Sequence, residues 1–505
     1  MNARKMRDAY SNSFQYIAGA LVATLLSSCT VGPDFRRPAE PETDAYTSTP
    51  IPEHTASAPG ALGESQRFIV GSAIEPQWWL NLGSPKLDVL IEQSLRTSPT
   101  LAAAEATLRQ ARETYAAQSG SIRYPQLDAN LSGQRQRFDP GALGQSGEAR
   151  EFSLYNAGIG MQYQLDPAGG NRRALEALSA QVDYQRFRLA GARLTLAAQI
   201  AGTAINQAGL SAQLVTSEAI LAAEEQQLAI AYERVRLGEA SRDDVLALQA
   251  QVEQTRAAIP ALRSQREQAV HLLAILSGQA PGTANLPTFN LGDFSLPEEL
   301  TLLLPAELVR GRPDIQAAEA LLHAANAEYG VAISKLYPQV NLSASLGSQA
   351  LTTGALFGSG SAVWSLVGQL TQPLFNPGLP AEKRAALAAF DAAAANYQSV
   401  VLEAFRNVAD ILQGLAGDAQ ILAAQVAAES SAQESLNSSQ QKYALGAASY
   451  LQLLAAQQRV HQVRLGLIAA QTQRLSNTVA LYHTMGGGEI LEGAVYSETV
   501  QPGYK

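Results

Sequence analysis

The chain has 505 residues, 46% of them hydrophobic and 16% charged, with a formal net charge of −9. That acidic balance argues against a nucleic-acid binder, which presents a basic face. One cysteine alone rules out an internal disulfide, and the length leaves room for several domains or one long repeat.

Arg4, Lys5 and Arg7 form a basic start, and Ile17 to Leu26 an apolar run. The run is too short to cross a bilayer as a helix but suits a signal peptide. Leu26-Ser27-Ser28-Cys29 then reads as a lipobox, with Cys29 as the first mature residue and the site of lipidation. The alternative is an ordinary signal followed by an incidental cysteine. Thr30, where an aspartate would mark inner-membrane retention, favours the outer membrane. Residues 30 to 76 are rich in Pro, Ser and Thr without a period, as in an extended strap.

The remainder is two copies of one unit. Pro99 matches Pro313, Ala103-Ala104-Glu105-Ala106 matches Ala317-Ala318-Glu319-Ala320, and Tyr124-Pro125-Gln126 matches Tyr337-Pro338-Gln339. Further on, Leu237-Gly238-Glu239-Ala240-Ser241 matches Leu445-Gly446-Ala447-Ala448-Ser449. The reading is a signal peptide (1–28), an anchored strap (29–80), repeat 1 (81–280), a connector (281–304), repeat 2 (305–488) and a tail (489–505). Each repeat opens with one helix, over about 85–120 and 305–335. A β-hairpin follows (124–166 and 337–375), then a long helix pair broken once, near Gly238 or Gly446.

Strands are expected over 125–137, 152–166, 338–348 and 363–374, where apolar and polar residues alternate. Val340, Leu342, Ala344 and Leu346 oppose Asn341, Ser343 and Ser345. Such alternation fits a soluble half-buried sheet as well as a spanning one. The anchor and the helical arms favour spanning, and the lengths suit transmembrane β-strands. Four strands cannot close a barrel, and an open edge cannot stand in hydrocarbon. Copies must therefore share one barrel, and three would give twelve strands.

The long helical stretches, from Asn171 to Leu237 and from Glu382 to Leu445, lack proline and would each be about 100 Å long. Heptad spacing runs through Leu175, Val182, Leu189, Leu196, Thr203 and Leu210. It recurs at Leu387, Ala394, Val401, Val408, Leu415 and Leu422, which marks coiled-coil seams. The fold class is mainly α with membrane β: a coiled-coil helical barrel plus a trimeric twelve-stranded transmembrane barrel, four strands per chain.

The lipobox followed by Val31-Gly32-Pro33-Asp34-Phe35-Arg36-Arg37-Pro38 resembles the start of TolC/OprM-type (NodT-like) outer-membrane efflux lipoproteins. Arg310-Gly311-Arg312-Pro313-Asp314-Ile315 and the ending Leu481-Tyr482-His483-Thr484-Met485-Gly486-Gly487-Gly488 are similar to the same family. The resemblance implies a homotrimer lipid-anchored in the outer membrane, its tunnel reaching into the periplasm and its connector at the equator of the tunnel. It implies a periplasmic adaptor and an inner-membrane transporter as partners, the latter of the resistance-nodulation-division type, with drugs or other small molecules as cargo. No cofactor, metal or catalytic residue is expected beyond the lipid on Cys29.

The resemblance also places the tips at Gly238 and Gly446 and the closed aperture at Tyr450, Leu451, Gln452 and Ala455, with Leu451 as the plug. Gln452 or Ala455 stands where many relatives carry an aspartate ring, so an acidic cation site is in doubt. Arg242, Asp243 and Asp244 sit at the other tip, and Asp244 would accept a hydrogen bond from Tyr443 as a latch. Asp243 and Asp244 can equally cap the returning helix, and the two roles can coexist.

Three rival functions can be weighed. An enzyme would need a motif such as HExxH, a P-loop or GxSxG, and none occurs. A lipid-anchored coiled-coil stalk would leave the two matching hairpins unexplained. A duct for type I protein secretion shares the architecture, and the GPDF start leans toward small-molecule efflux.

Overall fold

The computed structural model describes residues 30–488 apart from 40, 42, 44, 72, 73, 145 and 147. The signal peptide, Cys29 and the tail therefore lie outside the described residues. The elements in chain order are β1 (Arg67–Val70), α1 (Pro85–Thr97), α2 (Pro99–Arg123), β2 (Gln126–Phe138), β3 (Arg150–Leu165), α3 (Gly170–Arg236) and α4 (Arg242–Leu276). They continue with β4 (Glu299–Leu302), α5 (Pro305–Gly311), α6 (Pro313–Ser334), β5 (Gln339–Ala350), β6 (Ala362–Thr371), α7 (Gly378–Ala444) and α8 (Tyr450–Thr484). The long helices have the same lengths in both repeats: 67 residues for α3 and α7, 35 for α4 and α8.

Several local expectations need correcting. Each leading helix is two helices, divided at Ser98 and at Arg312. Both divisions precede a proline, whose ring disfavours helical backbone in the residue before it. The fourth strand stops at Thr371 and not at 374, because Pro373 has no N–H for a ladder. Strap and connector are not wholly irregular, since β1 and β4 pair in parallel from Arg67↔Glu299 to Val70↔Leu302. In the heptad series Val408, Leu415 and Leu422 are buried, but Leu387 is exposed.

Two compact units divide the chain. Of the described residues, the first comprises 30–38, Thr107–Gln185 and Ala318–Tyr397. Its centre is an antiparallel sheet in the order β2-β3-β5-β6. The strap begins here, pinned along its length. Val31 N–H donates to the Ala168 carbonyl at 3.0 Å, just beyond the end of β3. The buried Arg173 side chain donates to Asp34 at 2.7 Å, Phe35 stacks on His323 at 4.3 Å, and Arg37 donates to Glu319 at 2.7 Å.

The second unit comprises, of the described residues, those within Ala39–Ala106, Arg186–Ala317 and 398–488. Trp78 is fully buried and stacks on Tyr482 at 5.3 Å. Arg312 explains the RGRPDI run. Its guanidinium donates to the Thr484 carbonyl at 3.1 Å and the Ala404 carbonyl at 3.4 Å, while Asp314 holds it by two contacts of 2.9 and 3.1 Å. It thereby joins the C-terminal end of α8, where carbonyls lack helical partners, to α7. Arg312→Ala should lower the thermal melting temperature by about 2–3 °C, because a buried charged donor is worth ~2–3 kcal/mol and a chain this long unfolds with an entropy of about 1 kcal/mol/K. An unchanged melting curve would show that Arg312 does not hold this junction.

Candidate functional site

The sheet has two chemically distinct faces. Its register is unbroken through all three pairings, so residues that pair share a face. Leu127, Leu131, Tyr155, Ile159, Met161, Leu342, Leu346, Trp364, Leu366 and Leu370 lie on one face. Gln126, Asp128, Asn130, Gln162, Gln164, Asn341, Ser343, Ser345, Ser365 and Gln369 lie on the other. Trp364 is 78% exposed and Leu131 79%. An apolar face this continuous suits lipid and not water. The polar face holds its own hydrogen bonds, such as Ser345 with Ser365 at 2.8 Å. Among the described residues, the edge strands β2 and β6 each have one partner, and the far side of each is unpaired.

At the other end of the chemistry are two helix reversals built alike. Gly238 and Gly446 adopt φ of +79° and +71°, a region open to glycine at little cost. Around each, two backbone bonds close the helix end. Gly238 and Glu239 N–H donate to Val235 and Arg234, and Gly446 and Ala447 N–H donate to Tyr443 and Lys442. Each returning helix opens with a capping box. Ser241 and Asp244 exchange bonds at the start of α4, as do Ser449 and Gln452 at the start of α8.

The two reversals are tied to each other. Arg234 donates to the Tyr443 hydroxyl and its guanidinium lies 5.2 Å from that ring. Tyr443 meets the Tyr450 ring edge-on at 5.7 Å. Burial, with the nearby Tyr443 and Asp244 adding to it, pushes the Tyr450 hydroxyl up to about 12. Apolar packing joins the same pieces: Ala231, Val245, Leu248 and Leu454 form one cluster, and Ala432, Leu436, Leu453 and Val460 another. Further along, the Glu224 side chain is 3% exposed and accepts from Gln251 at 3.2 Å, with His461 at 3.5 Å. Gln458 in turn donates to Gln251. This polar bridge links α3, α4 and α8.

The site residues named from the sequence fall as follows. Leu451, Gln452 and Ala455 are exposed on the first turns of α8, and Leu451 is 58% exposed. Tyr450 is half-buried and Arg242 and Asp243 are exposed on α4. Within the single chain, Asp244 and Tyr443 each have another partner. Asp244 is engaged with Ser241 in capping α4, where orphan amides attract a carboxylate, and Tyr443 accepts from Arg234 instead. Arg234 escaped the sequence reading, because a contact between residues so far apart leaves no local pattern. The two capping boxes did leave one, Ser-x-x-Asp and Ser-x-x-Gln.

A two-faced sheet and two matching pairs of long helices in one chain define the class of an outer-membrane channel subunit. The model of the outer membrane efflux protein family matches residues 90–279 and 304–487, and the chain belongs to that family. It is 28% identical over 475 residues to outer membrane protein OprJ of Pseudomonas aeruginosa, covering 94% of this chain and 95% of OprJ. It is 31% identical to the solvent efflux pump outer membrane protein SrpC of Pseudomonas putida, covering 92% and 96%. The outer-membrane channel OprN superposes with a TM-score of 0.81 at 28% identity, covering 91% of this chain and 99% of OprN. The protein is thus an outer-membrane exit duct of an efflux pump, extending into the periplasm. That membership removes the stalk reading.

The capping geometry is directly testable. Ser449→Ala removes a cap worth roughly 1 kcal/mol, so amide exchange in the first turn of α8 should quicken about fivefold. Unchanged protection of Leu451 to Leu453 would contradict the assignment.

Proposed function

We propose that three copies close one twelve-stranded barrel in the outer membrane and pass small molecules outward. The two unpaired sheet edges carry this reading, since hydrocarbon offers their amides no other partner. A head-to-tail arrangement pairs β2 of one copy with β6 of the next, and such interfaces close into rings. The relatives' names support small-molecule cargo: SrpC is a solvent efflux component, and OpmQ of Pseudomonas aeruginosa, 31% identical, serves pyoverdine export.

The remaining assignments complete the pump. Cys29 carries the lipid anchor, and the pinning of Val31 beside the end of β3 supports an anchor close to the membrane. A periplasmic adaptor and an inner-membrane transporter of the resistance-nodulation-division type supply recognition and energy, and the duct itself performs no catalysis. Leu451, with Tyr450, Gln452 and Ala455, closes the periplasmic aperture. The exposure of Leu451 in a single chain supports this, since it is free to meet its counterparts in other copies. Arg234, Tyr443 and the caps at Asp244 and Gln452 hold the tips in the closed arrangement.

The protein reconstituted in planar bilayers should show brief, small openings at the mass of a trimer. Leu451→Ala should raise open probability roughly tenfold or more, the effect of losing about 1.4 kcal/mol of closed-state packing. Large stable openings in the unaltered protein would remove Leu451 as the plug, and no conductance from either trimer would remove the duct.

A further inference from the structure

The apolar face of the sheet ends in a pair of arginines. Leu127, Ala129, Leu131 and Gly133 alternate along β2 on that face, and the register pairs Gly133 with Tyr155 of β3. The Tyr155 ring lies across Gly133, where an added Cβ would come within 3.1 Å of it. A tyrosine at that level marks the boundary between hydrocarbon and headgroups, where amphipathic rings settle. Arg135 and Arg137 come next on the same face, about 7 and 13 Å further along the strand. Both strands of the hairpin meet their helices at the periplasmic end, so these arginines stand at the outer surface of the membrane.

Their charges are poorly spent within the chain. Glu151 is the one carboxylate on this part of the face. It stands opposite Arg137 in the register but bonds Arg135 at 3.0 Å, through side chains that are 75% and 54% exposed. Such an exposed pair is weak and exchangeable. Arg137 has no hydrogen-bond or ion-pair partner among the described residues. Two guanidinium groups and one carboxylate leave a positive charge facing outward. Arg150, beside Phe138 in the register, lies on the opposite face and does not contribute.

We infer that Arg135 and Arg137 form a binding site for the phosphate groups of lipid in the outer leaflet. The outer leaflet of this membrane is built of phosphorylated glycolipid. A planar guanidinium fork matches a phosphate by two parallel hydrogen bonds. The acyl chains of the same lipid would lie along Leu131 and Ala129, so one molecule satisfies both halves of the face. The site ties the barrel to its lipid and fixes how deeply it sits. It rests on the membrane-facing reading of the sheet, but it does not depend on which solutes pass.

The test is native mass spectrometry of the full-length protein in mixed micelles containing bisphosphorylated lipid A, its dephosphorylated form, or inorganic phosphate. The site predicts retention of the phosphorylated lipid, little retention of the dephosphorylated form, and no displacement by millimolar phosphate. Arg135→Gln with Arg137→Gln should weaken retention roughly 30-fold, as expected for two cationic contacts at a lipid surface. Arg263→Gln, on a helix of the other unit, should leave it unchanged. Equal retention of both lipid forms by the unaltered protein, or undiminished retention by the double variant, would overturn the site. Displacement by phosphate alone would make it a free-anion site and overturn it as well. Bilayer conductance of the double variant separates the two readings, because a conducting variant that has lost its lipid leaves the duct intact.

Discussion

A backbone amide in hydrocarbon must find a hydrogen-bond partner within protein, and most of this architecture follows from that requirement. The four-stranded sheet satisfies its interior, from β2 through β6, and leaves two edges open. An edge that long is a liability in any sheet. In the proposed trimer it becomes the means of assembly, since each copy would supply what the next lacks. The unbroken register matters for the same reason. One slipped residue would turn every leucine of a strand toward the polar side.

The same economy governs the helices. Their lengths match between repeats, and both reversals use a glycine at positive φ followed by a capping box. Helix ends expose amides and carbonyls whether they lie in water or against protein. Ser241 with Asp244 and Ser449 with Gln452 deal with the starts, and Arg312 deals with the end of α8. The resulting turns are locally well formed. Arg234 on Tyr443 and Gln458 on Gln251 join the two reversals, while the Tyr443–Tyr450 pair packs within the second.

Much of this was legible in the sequence. Strand alternation and heptad spacing are periodic signals, and both survive in the register and in the buried Val408, Leu415 and Leu422. The repeat showed where each turn recurs. Features without periodicity were lost. Pro99 and Pro313 match between the repeats, but a single proline is a faint mark within a long helical pattern, and the breaks at Ser98 and Arg312 emerge only in the structure. β1 and β4 are four residues each, separated by more than two hundred positions, and parallel pairing over that distance leaves no sequence mark. At the tip, the serine three residues before Asp244 marks a local partner in the sequence, and the chain makes that bond.

The account stands or falls on the two faces of the sheet. Cys29 is the only natural cysteine, and lipidation would leave it unreactive, so single cysteines along β3 can be read in intact outer membranes with a water-soluble maleimide. Cysteines replacing Asn156, Gln162 and Gln164 should label, and those replacing Ala157, Ile159 and Met161 should not. Labelling without alternation, or alternation with the faces exchanged, would contradict a membrane-spanning share of a barrel.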